Sequence, residues 1–380
     1  MIPPETFRRL PVFMLMFHTC LSAGATQTLT ADLPHLPQGF SIGIWNEQVP
    51  GARSMALARD GTVYVGSMET GSVYALRDLN GDGEAETRSV ILDGLNGPNG
   101  VAILDDDLYI AEINRLLRIR HIAHHQDTLP QPEVLIGDLP GEQHHGARYL
   151  RAGPDGFLYM SLGAPCNVCQ PSSPLGSILR IDPEGRILGT EARGVRNSMG
   201  FDWDPVSGKM FFTDNGRDLL GDDIPREELN RIDRSGDHFG FPWCHAGTIQ
   251  DPEWKQQPCD AFKPPVWTFP AHTAPLAVHF YRGNMFPASY QHRAFVAQHG
   301  SWNRTEPDGY RMVTLEFMQG QPVSEQPFLD GWRDARNSGE RGRPVDMLEL
   351  ADGSLLVSDD NRGAIYRIAY HPPLCCSGRP

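Results

Sequence analysis

The sequence has no excess of positive charge and no long apolar run. It contains 33 Lys and Arg residues against 47 Asp and Glu residues, which gives a formal net charge of −14. Nucleic acids and anionic membranes attract positively charged surfaces, so an acidic chain without a basic stretch predicts neither as a partner. The apolar stretch at residues 10–21 is shorter than the ~20 residues that cross a bilayer, and no later segment is apolar enough. We therefore predict no membrane span.

Residues 1–25 have the composition of a signal peptide. Arg8 and Arg9 form a short positive region, residues 10–21 are mostly apolar, and residues 23–25 supply the small residues of a cleavage site. We predict cleavage near Ala25, which places the mature chain in the periplasm or outside the cell.

Several common cofactor-binding and catalytic motifs are missing. The sequence has no Gly-x-Gly-x-x-Gly after a predicted strand, no phosphate-binding Gly-Lys-Ser/Thr loop, no His-Glu-x-x-His helix and no nucleophile elbow. These absences argue against the nucleotide-dependent, zinc-dependent and serine-nucleophile enzymes that those motifs define.

Six of the seven cysteines follow the predicted cleavage site, and an even number in an oxidising compartment favours disulfides. We expect Cys244 to pair with Cys259 and Cys166 with Cys169. The Cys166-x-x-Cys169 spacing also occurs in haem and redox motifs, but Gln170 stands where covalent haem attachment requires His. Zinc would need a second pair nearby, so a structural bridge is the better interpretation.

Helical periodicity is nearly absent, and short alternating apolar segments recur between turns rich in Gly, Asp, Asn and Pro. Six copies of a strand pair follow one another at a spacing of ~45–50 residues, which is typical of a β-propeller. We therefore predict an all-β, six-bladed β-propeller. The six pairs are 60–65 with 72–76, 107–110 with 116–119, 155–160 with 177–181, 208–213 with 229–232, 293–297 with 311–315, and 352–357 with 364–368.

The propeller is predicted as one domain over residues 26–380. The larger gap between the fourth and fifth pairs predicts an inserted loop around residues 241–275, rich in Pro and Trp. Whether residues 40–45 close the ring beside the last blade is left open by the sequence.

Polar and charged residues are concentrated in the loops that border these strands, where the active sites of such scaffolds lie. The segments are 142–150, 194–201 followed by 213–218, 299–304, and 341–346. Together these segments resemble the soluble pyrroloquinoline quinone (PQQ)-dependent sugar dehydrogenases, and most of all their sorbosone-dehydrogenase-like branch. The resemblance covers nearly the whole predicted mature chain.

The resemblance implies two cofactors, PQQ and Ca²⁺. PQQ carries three carboxylates, and planar guanidinium groups suit such anions. Calcium prefers oxygen ligands, and the resemblance places it at the main-chain carbonyls of Gly216 and Arg217. The predicted cofactor-binding residues are Arg196, Asn197, Arg304, Arg341 and Arg343.

Oxidation of a hydroxyl or hydrated aldehyde requires a base, and histidine has a suitable pKa. Counting back from the third strand pair selects His145 or His144. The pattern of His145, Arg148 and Leu150 matches the family's His-x-x-Arg-x-Leu and favours His145, so His145, His144 and Arg148 form the predicted catalytic group.

Two departures from the family pattern keep other functions open. Arg343 is followed by Pro344, Val345 and Asp346, where the family has an Arg-x-Arg-Asp run, and Arg304 stands in place of a lysine. The predicted function is oxidation of an aldose, a sugar-derived aldehyde such as a sorbosone, or a related alcohol. Electrons would pass to an external acceptor, a cytochrome or a quinone. The alternatives are a calcium-dependent lactonase on the same scaffold and a non-catalytic binding module.

Overall fold

Each predicted strand pair is an antiparallel pair of strands in the computed structural model, which describes residues 35–124, 129–333 and 341–372. The predicted signal peptide lies outside the described residues. In chain order the strands are β1 (Phe40–Asn46), β2 (Ala52–Leu57), β3 (Val63–Ser67), β4 (Val73–Arg77), β5 (Thr87–Leu92), β6 (Gly100–Leu104), β7 (Asp107–Ala111), β8 (Leu116–Ile119), β9 (Glu133–Ile136), β10 (Leu150–Ala152), β11 (Leu158–Leu162), β12 (Ser177–Ile181), β13 (Ile187–Arg193), β14 (Gly200–Trp203), β15 (Met210–Asp214), β16 (Glu227–Arg231), β17 (Asp237–His238), β18 (Cys244–His245), β19 (Ile249–Gln250), β20 (Trp267–Phe269), β21 (Pro275–Phe280), β22 (Ala294–Gln298), β23 (Arg311–Met318), β24 (Gln321–Leu329), β25 (Pro344–Glu349), β26 (Leu355–Asp359) and β27 (Ala364–Tyr370).

The strands form six blades arranged in a ring. Blade one is β2–β5, blade two β6–β9, blade three β10–β13, blade four β14–β16 with β20, blade five β21–β24, and blade six β25–β27 with β1. The first strand of each blade packs beside the first strand of the next, as β2 does with β6 and β25. Between blades three and four, Arg151 donates a hydrogen bond to the carbonyl of Phe201. The predicted six-bladed β-propeller is therefore confirmed.

The ring is closed by strand pairing between the two ends of the described chain. Strand β1 pairs antiparallel with β27, with Phe40 opposite Tyr370 and Ile42 opposite Ile368. The closure that the sequence left open is therefore present, and residues 40–46 supply the outer strand of blade six.

The middle strands of the blades are apolar because both of their faces are covered. All residues of β3, β11, β15, β22 and β26 are buried, whereas the outer strand β5 is largely exposed. Between blades four and five, for example, the ring of Phe211 lies 5.3 Å from that of Phe280 in an edge-to-face arrangement. Burying one such ring contributes roughly 1.5–3 kcal/mol. Stacking of neighbouring blades thus supplies the core that one blade lacks.

The predicted insertion contains more regular structure than a loop. It holds the two-stranded hairpin β18–β19 and a short 3-10 turn at Cys259–Ala261. Residues Trp267–Phe269 form β20, the outer strand of blade four, and β21 begins at Pro275. The insertion proper therefore lies between β16 and β20. No helix among the described residues is long and apolar enough to span a membrane.

Strand direction places two sets of loops at the same end of the ring. Because successive strands in a blade are antiparallel, the loop that enters each first strand and the loop between the second and third strands emerge together. We call this end the mouth. The mouth segments discussed below are 137–149, 163–176, 194–199, 215–226, 299–310 and 341–343.

Candidate active site

The predicted site residues all lie on mouth segments. The histidine segment precedes β10, the Arg196 segment precedes β14, and the predicted calcium segment joins β15 to β16. The remaining arginines lie between β22 and β23 and immediately before β25. The fold thus gathers segments from blades three to six at one opening.

His145 is held in one orientation by its neighbours. Its Nδ1 lies 2.8 Å from the carbonyl oxygen of Ala164. A carbonyl only accepts hydrogen bonds, so Nδ1 carries the proton and Nε2 keeps a lone pair. The close approach requires glycine at position 163, since a Cβ there would lie 2.5 Å from the Cβ of His145.

The imidazole of His145 is neutral at physiological pH. Burial, the positive charge of Arg196 and the neighbouring His144 lower the pKa of His145 to about 3. A neutral ring with a free Nε2 is the form that accepts a proton. The geometry therefore suits His145 to act as a base.

His144 lacks such support. Its ring centroid lies 4.1 Å from that of His145, and its side chain is exposed. An exposed side chain retains its rotamer freedom, which disfavours a fixed catalytic role. Of the two histidines that the sequence selected, His145 is the one whose ring is fixed by a hydrogen bond.

Arg148 fixes the backbone of the segment that carries His144 and His145. It is 0% exposed and donates hydrogen bonds to the carbonyls of Ile113 at 3.0 Å, Pro140 at 2.7 Å and His145 at 3.4 Å. These contacts use its guanidinium to fix the backbone of the segment. The structure therefore places Arg148 in loop support, where the sequence analysis assigned it to the catalytic group.

Arg196 is also buried, at 3% exposure, but its partners belong to the mouth. Its Nε donates to the carbonyl of Asn167 at 2.9 Å, and its Nη2 donates to Asn167 Oδ1 at 2.9 Å and Asp218 Oδ2 at 2.8 Å. Nη1 donates to the carbonyl of Asn215 at 3.1 Å. Arg196 thus connects blades three and four at the mouth.

Both predicted disulfides are present. Cys166 is bonded to Cys169, and Cys244 to Cys259. The first closes a small ring on the mouth that contains Asn167, and the second lies within the insertion. The interpretation of Cys166 and Cys169 as a bridge is therefore confirmed.

Buried carboxyl groups, which the sequence analysis did not identify, shape the backbone around Arg196. Asp214 accepts hydrogen bonds from the main-chain N–H groups of Arg196 at 2.9 Å and Asn197 at 2.6 Å. Glu227 accepts one from the main-chain N–H of Gly216 at 2.6 Å. Burial raises the pKa of Asp214 to about 6 and that of Glu227 to about 8. An acidic residue at the end of a buried strand is the signal that would have found them.

The predicted calcium segment offers oxygen atoms without donors. No described residue donates a hydrogen bond to the carbonyl oxygen of Gly216 or Arg217. The buried Oδ1 atoms of Asn197, Asn215 and Asn303 likewise have no partner among the described residues. Unpaired buried oxygens are costly unless a ligand satisfies them, and hard cations bind such oxygens. These oxygen atoms are therefore of the type that can serve as ligands of a calcium ion.

The guanidinium of Arg304 ties its own loop to two neighbouring segments. It donates to the carbonyls of Asp222 and Ala271 and lies 3.6 Å from the carboxylate of Asp223. Its neighbour Asn303 donates instead to Asp218 Oδ1 at 2.7 Å. Asn303, which the sequence analysis did not select, thus reaches the Arg196 group, whereas Arg304 anchors the segment that carries it.

Arg343 lies on the mouth segment that precedes blade six. Its Nε donates to the carbonyl of His299 at 3.2 Å and its Nη2 to that of Gly300 at 2.6 Å. Nη1 has no hydrogen-bond partner among the described residues, which leaves donors for an anion. Nearby, the main-chain N–H of Arg341 donates to the carbonyl of Trp332 at 2.6 Å.

A second half-buried histidine lies beside Arg343. His299 Nε2 lies 2.9 Å from Asp360 Oδ1, and Asp360 Oδ2 accepts a hydrogen bond of 2.6 Å from Arg53. Arg53 and Asp360 come from blades one and six, and the sequence analysis selected neither. This network joins blades that are far apart in the sequence.

Comparison with known proteins identifies a family match and similar folds. Residues 246–371 match the TrAA12-like family. A calcium-containing structure of a Trichoderma reesei enzyme of carbohydrate-active enzyme family AA12 superposes with a TM-score of 0.77 at 20% identity, covering 89% of this chain and 97% of that one. At this identity the likeness shows the fold, a six-bladed propeller.

Two further proteins are similar in sequence. The PQQ-dependent pyranose dehydrogenase of Coprinopsis cinerea is 30% identical over 156 residues, which are 36% of this chain and 18% of that protein. The holo form of its PQQ domain superposes with a TM-score of 0.72 at 20% identity, covering 88% of this chain and 97% of that domain. An uncharacterised protein of Borreliella burgdorferi is 32% identical over 362 residues, 91% of this chain and 93% of that protein. The chain belongs to the same family as this Borreliella protein.

Proposed function

We propose that the protein is a PQQ-dependent oxidoreductase that oxidises an aldose, a sugar-derived aldehyde such as a sorbosone, or a related alcohol. The observation that carries the proposal is the orientation of His145. Its Nδ1 proton is engaged by Ala164, its Nε2 has no hydrogen-bond partner among the described residues, and its ring is neutral beside Arg196. This arrangement suits removal of a proton from a substrate hydroxyl.

The residues at the mouth fit both cofactors. Arg196 before blade four and Arg343 before blade six, with Asn197 and Arg341, would hold the carboxylates of PQQ. The carbonyls of Gly216 and Arg217, with the amide oxygens of Asn197 and Asn215, would hold Ca²⁺. When bound, PQQ supplies an ortho-quinone that accepts a hydride, and calcium polarises it.

The protein's own residues would then manage the proton. Nε2 of His145 accepts the proton of the substrate hydroxyl as the adjacent C–H bond breaks. The resulting imidazolium is stabilised by its Nδ1–H hydrogen bond to the carbonyl of Ala164. Arg148 keeps this segment in place through its three main-chain contacts, so that the ring does not turn away.

The electrons would leave to an external cytochrome or quinone, because the sequence has no haem attachment motif. Two disulfides favour a periplasmic or secreted location, since such bonds persist in oxidising compartments.

Reconstitution tests the proposal directly. Purified apo-protein is titrated with PQQ in the presence of Ca²⁺ while the quinone absorbance is followed, and dye reduction is then assayed with aldoses, sugar-derived aldehydes and related alcohols. We expect saturable PQQ binding and sugar-dependent dye reduction. Lactone hydrolysis with Ca²⁺ alone would identify a lactonase instead, and PQQ binding without dye reduction would identify a binding module.

A further inference from the structure

The disulfide-closed segment of the mouth contains one polar side chain that contacts two site elements. Asn167 lies between Cys166 and Cys169 in the loop joining β11 and β12 of blade three. It contacts Arg196, which precedes blade four, and Asp218, which belongs to the segment after β15. Nothing in the family pattern used above selects this residue.

Asn167 accepts two hydrogen bonds from the guanidinium of Arg196. Its carbonyl oxygen accepts the Nε–H bond at 2.9 Å, and its Oδ1 accepts an Nη2–H bond at 2.9 Å. Two parallel hydrogen bonds fix the plane of a guanidinium as a carboxylate would. An amide does so without adding negative charge, and the guanidinium charge is balanced instead by the carboxylate of Asp218, whose Oδ2 accepts a hydrogen bond from Nη2 at 2.8 Å.

The same side chain also holds the predicted calcium segment. Oδ1 accepts the main-chain N–H of Asp218 at 2.8 Å, and Nδ2 donates to the carbonyl of Asp218 at 3.1 Å. This pair of bonds fixes the backbone immediately after Gly216 and Arg217. Through Asp218 Oδ1 the contact extends to Asn303 of blade five.

The Cys166–Cys169 bond restricts where Asn167 can lie. A cross-link between residues three positions apart removes most of the backbone freedom of the two residues between them. The position of Asn167, and with it that of Arg196, therefore depends on an intact disulfide.

We propose that Asn167 is a positioning residue for PQQ binding, an inference that rests on the proposed function. It orients the guanidinium of Arg196 and the backbone at Asp218, and the Cys166–Cys169 disulfide holds it in place. PQQ affinity consequently depends on the oxidation state of this one disulfide.

A double-mutant cycle tests the coupling of Asn167 to Arg196. The dissociation constant of PQQ is measured with Ca²⁺ for the parent, Asn167→Ala, Arg196→Ala and the double variant. We expect Asn167→Ala to weaken binding about tenfold in the parent, which corresponds to ~1.4 kcal/mol. In the Arg196→Ala background the same change should weaken binding by less than about twofold. Equal losses in both backgrounds would overturn the proposal.

The two disulfides provide a matched pair of variants. Cys166→Ser with Cys169→Ser should weaken PQQ binding about as much as Asn167→Ala. Cys244→Ser with Cys259→Ser removes the other bridge and should leave the dissociation constant within about twofold, whatever its effect on thermal stability. Similar losses of affinity in both double variants would show a general structural effect and refute the specific role of Cys166–Cys169.

A third measurement separates this inference from the proposed function. Crystal structures of the cofactor-free parent and of Asn167→Ala report the position of Arg196 directly. If the parent binds no PQQ, the proposed function fails, while displacement of Arg196 in the variant still supports the positioning role. An unmoved Arg196 and Asp218 would disprove that role even if PQQ binds.

Discussion

Two half-buried histidines lie on different segments of the mouth in contrasting surroundings. His145, beside blades three and four, faces the neutral carbonyl of Ala164. His299, beside blades five and six, faces the carboxylate of Asp360, which also pairs with Arg53. Burial lowers the pKa of both histidines. The chain therefore places two similar side chains in one opening and gives them different partners.

The difference distinguishes the side to which we assign the proposed chemistry from the side whose contacts join the blades. A carbonyl fixes one nitrogen of His145 and leaves the other free. Asp360 instead engages His299 in an ion-paired network that connects blades one, five and six. Breaking such a buried network leaves uncompensated charge, so its members are held in place for stability.

The largest expected effect is a difference in kcat between variants of the two histidines. His145→Ala should lower kcat with a sugar substrate by about 10²–10⁴-fold, because the proton acceptor is lost, while PQQ remains bound. His299→Ala should lower kcat by less than about tenfold and reduce thermal stability instead. Steady-state kinetics of the reconstituted enzyme, with PQQ occupancy from absorbance, decide this. An active His145→Ala enzyme would refute the assigned base.

The next effect concerns the ion-paired side. Asp360→Ala should lower the free energy of unfolding by about 2–4 kcal/mol, because it leaves the guanidinium of Arg53, whose side chain is only 11% exposed, without its carboxylate partner. Asp106→Ala breaks the exposed Arg59–Asp106 pair and should cost less than about 1 kcal/mol. Urea denaturation of each variant gives both values. Equal losses would mean that the buried network has no special role in stability.

A smaller effect is a pH dependence of opposite sign on the two sides. Burial raises the pKa of Glu227 to about 8, so between roughly pH 4.5 and pH 8 the folded protein binds more protons there than the unfolded chain. Stability from this group therefore falls as the pH rises through that window. His299 and Arg53 lower the pKa of Asp360, so its contribution is lost in acid.

Urea denaturation of calcium-free protein from pH 5 to pH 8 measures this dependence. Glu227→Gln should reduce the loss of stability toward pH 8, whereas Glu306→Gln, a change at an exposed position, should leave the curve unchanged. A parent protein that gains stability over the whole interval, with Glu227→Gln following the same curve, would contradict the buried, protonated state of Glu227.

The smallest effect sharpens the assignment within the histidine pair. His144→Ala should change kcat by less than about threefold, because the exposed ring has no fixed partner and surface substitutions are usually mild. The kinetics are measured beside those of His145→Ala. A loss of the same size in both variants would make the pair, rather than His145, the functional unit.

The repeat in the sequence predicted the fold because each copy contained the second and third strands of a blade. Those strands are buried on both faces, so their apolar composition is strong. The outer strands were missed: β5 is mostly exposed, and β20 was hidden in the predicted insertion. Pairing of β1 with β27 is a contact between chain ends, which no local pattern encodes.

The sequence predicted which segments form the candidate site better than it predicted the contacts that their side chains make. The resemblance of the loop segments to the sugar dehydrogenases pointed to His145, Arg196 and Arg343, and the fold brings their segments to one mouth. It did not indicate that Arg148 and Arg304 would be used by backbone carbonyls, since a guanidinium's partner depends on tertiary geometry. Asn167 was read only as a spacer between two cysteines, although it contacts Arg196 twice.

The pairing of β1 with β27 has a consequence for biosynthesis. During translation β1 is made before the other strands of the ring and its partner β27 after them, so blade six stays incomplete until the last strand of the propeller has been made. Contacts between such distant segments form slowly, and unpaired strand edges invite aggregation. A chain terminated before β27 would leave β1 without a partner and β26 as an open edge. Closure of the ring is therefore a late step in the folding of the nascent protein.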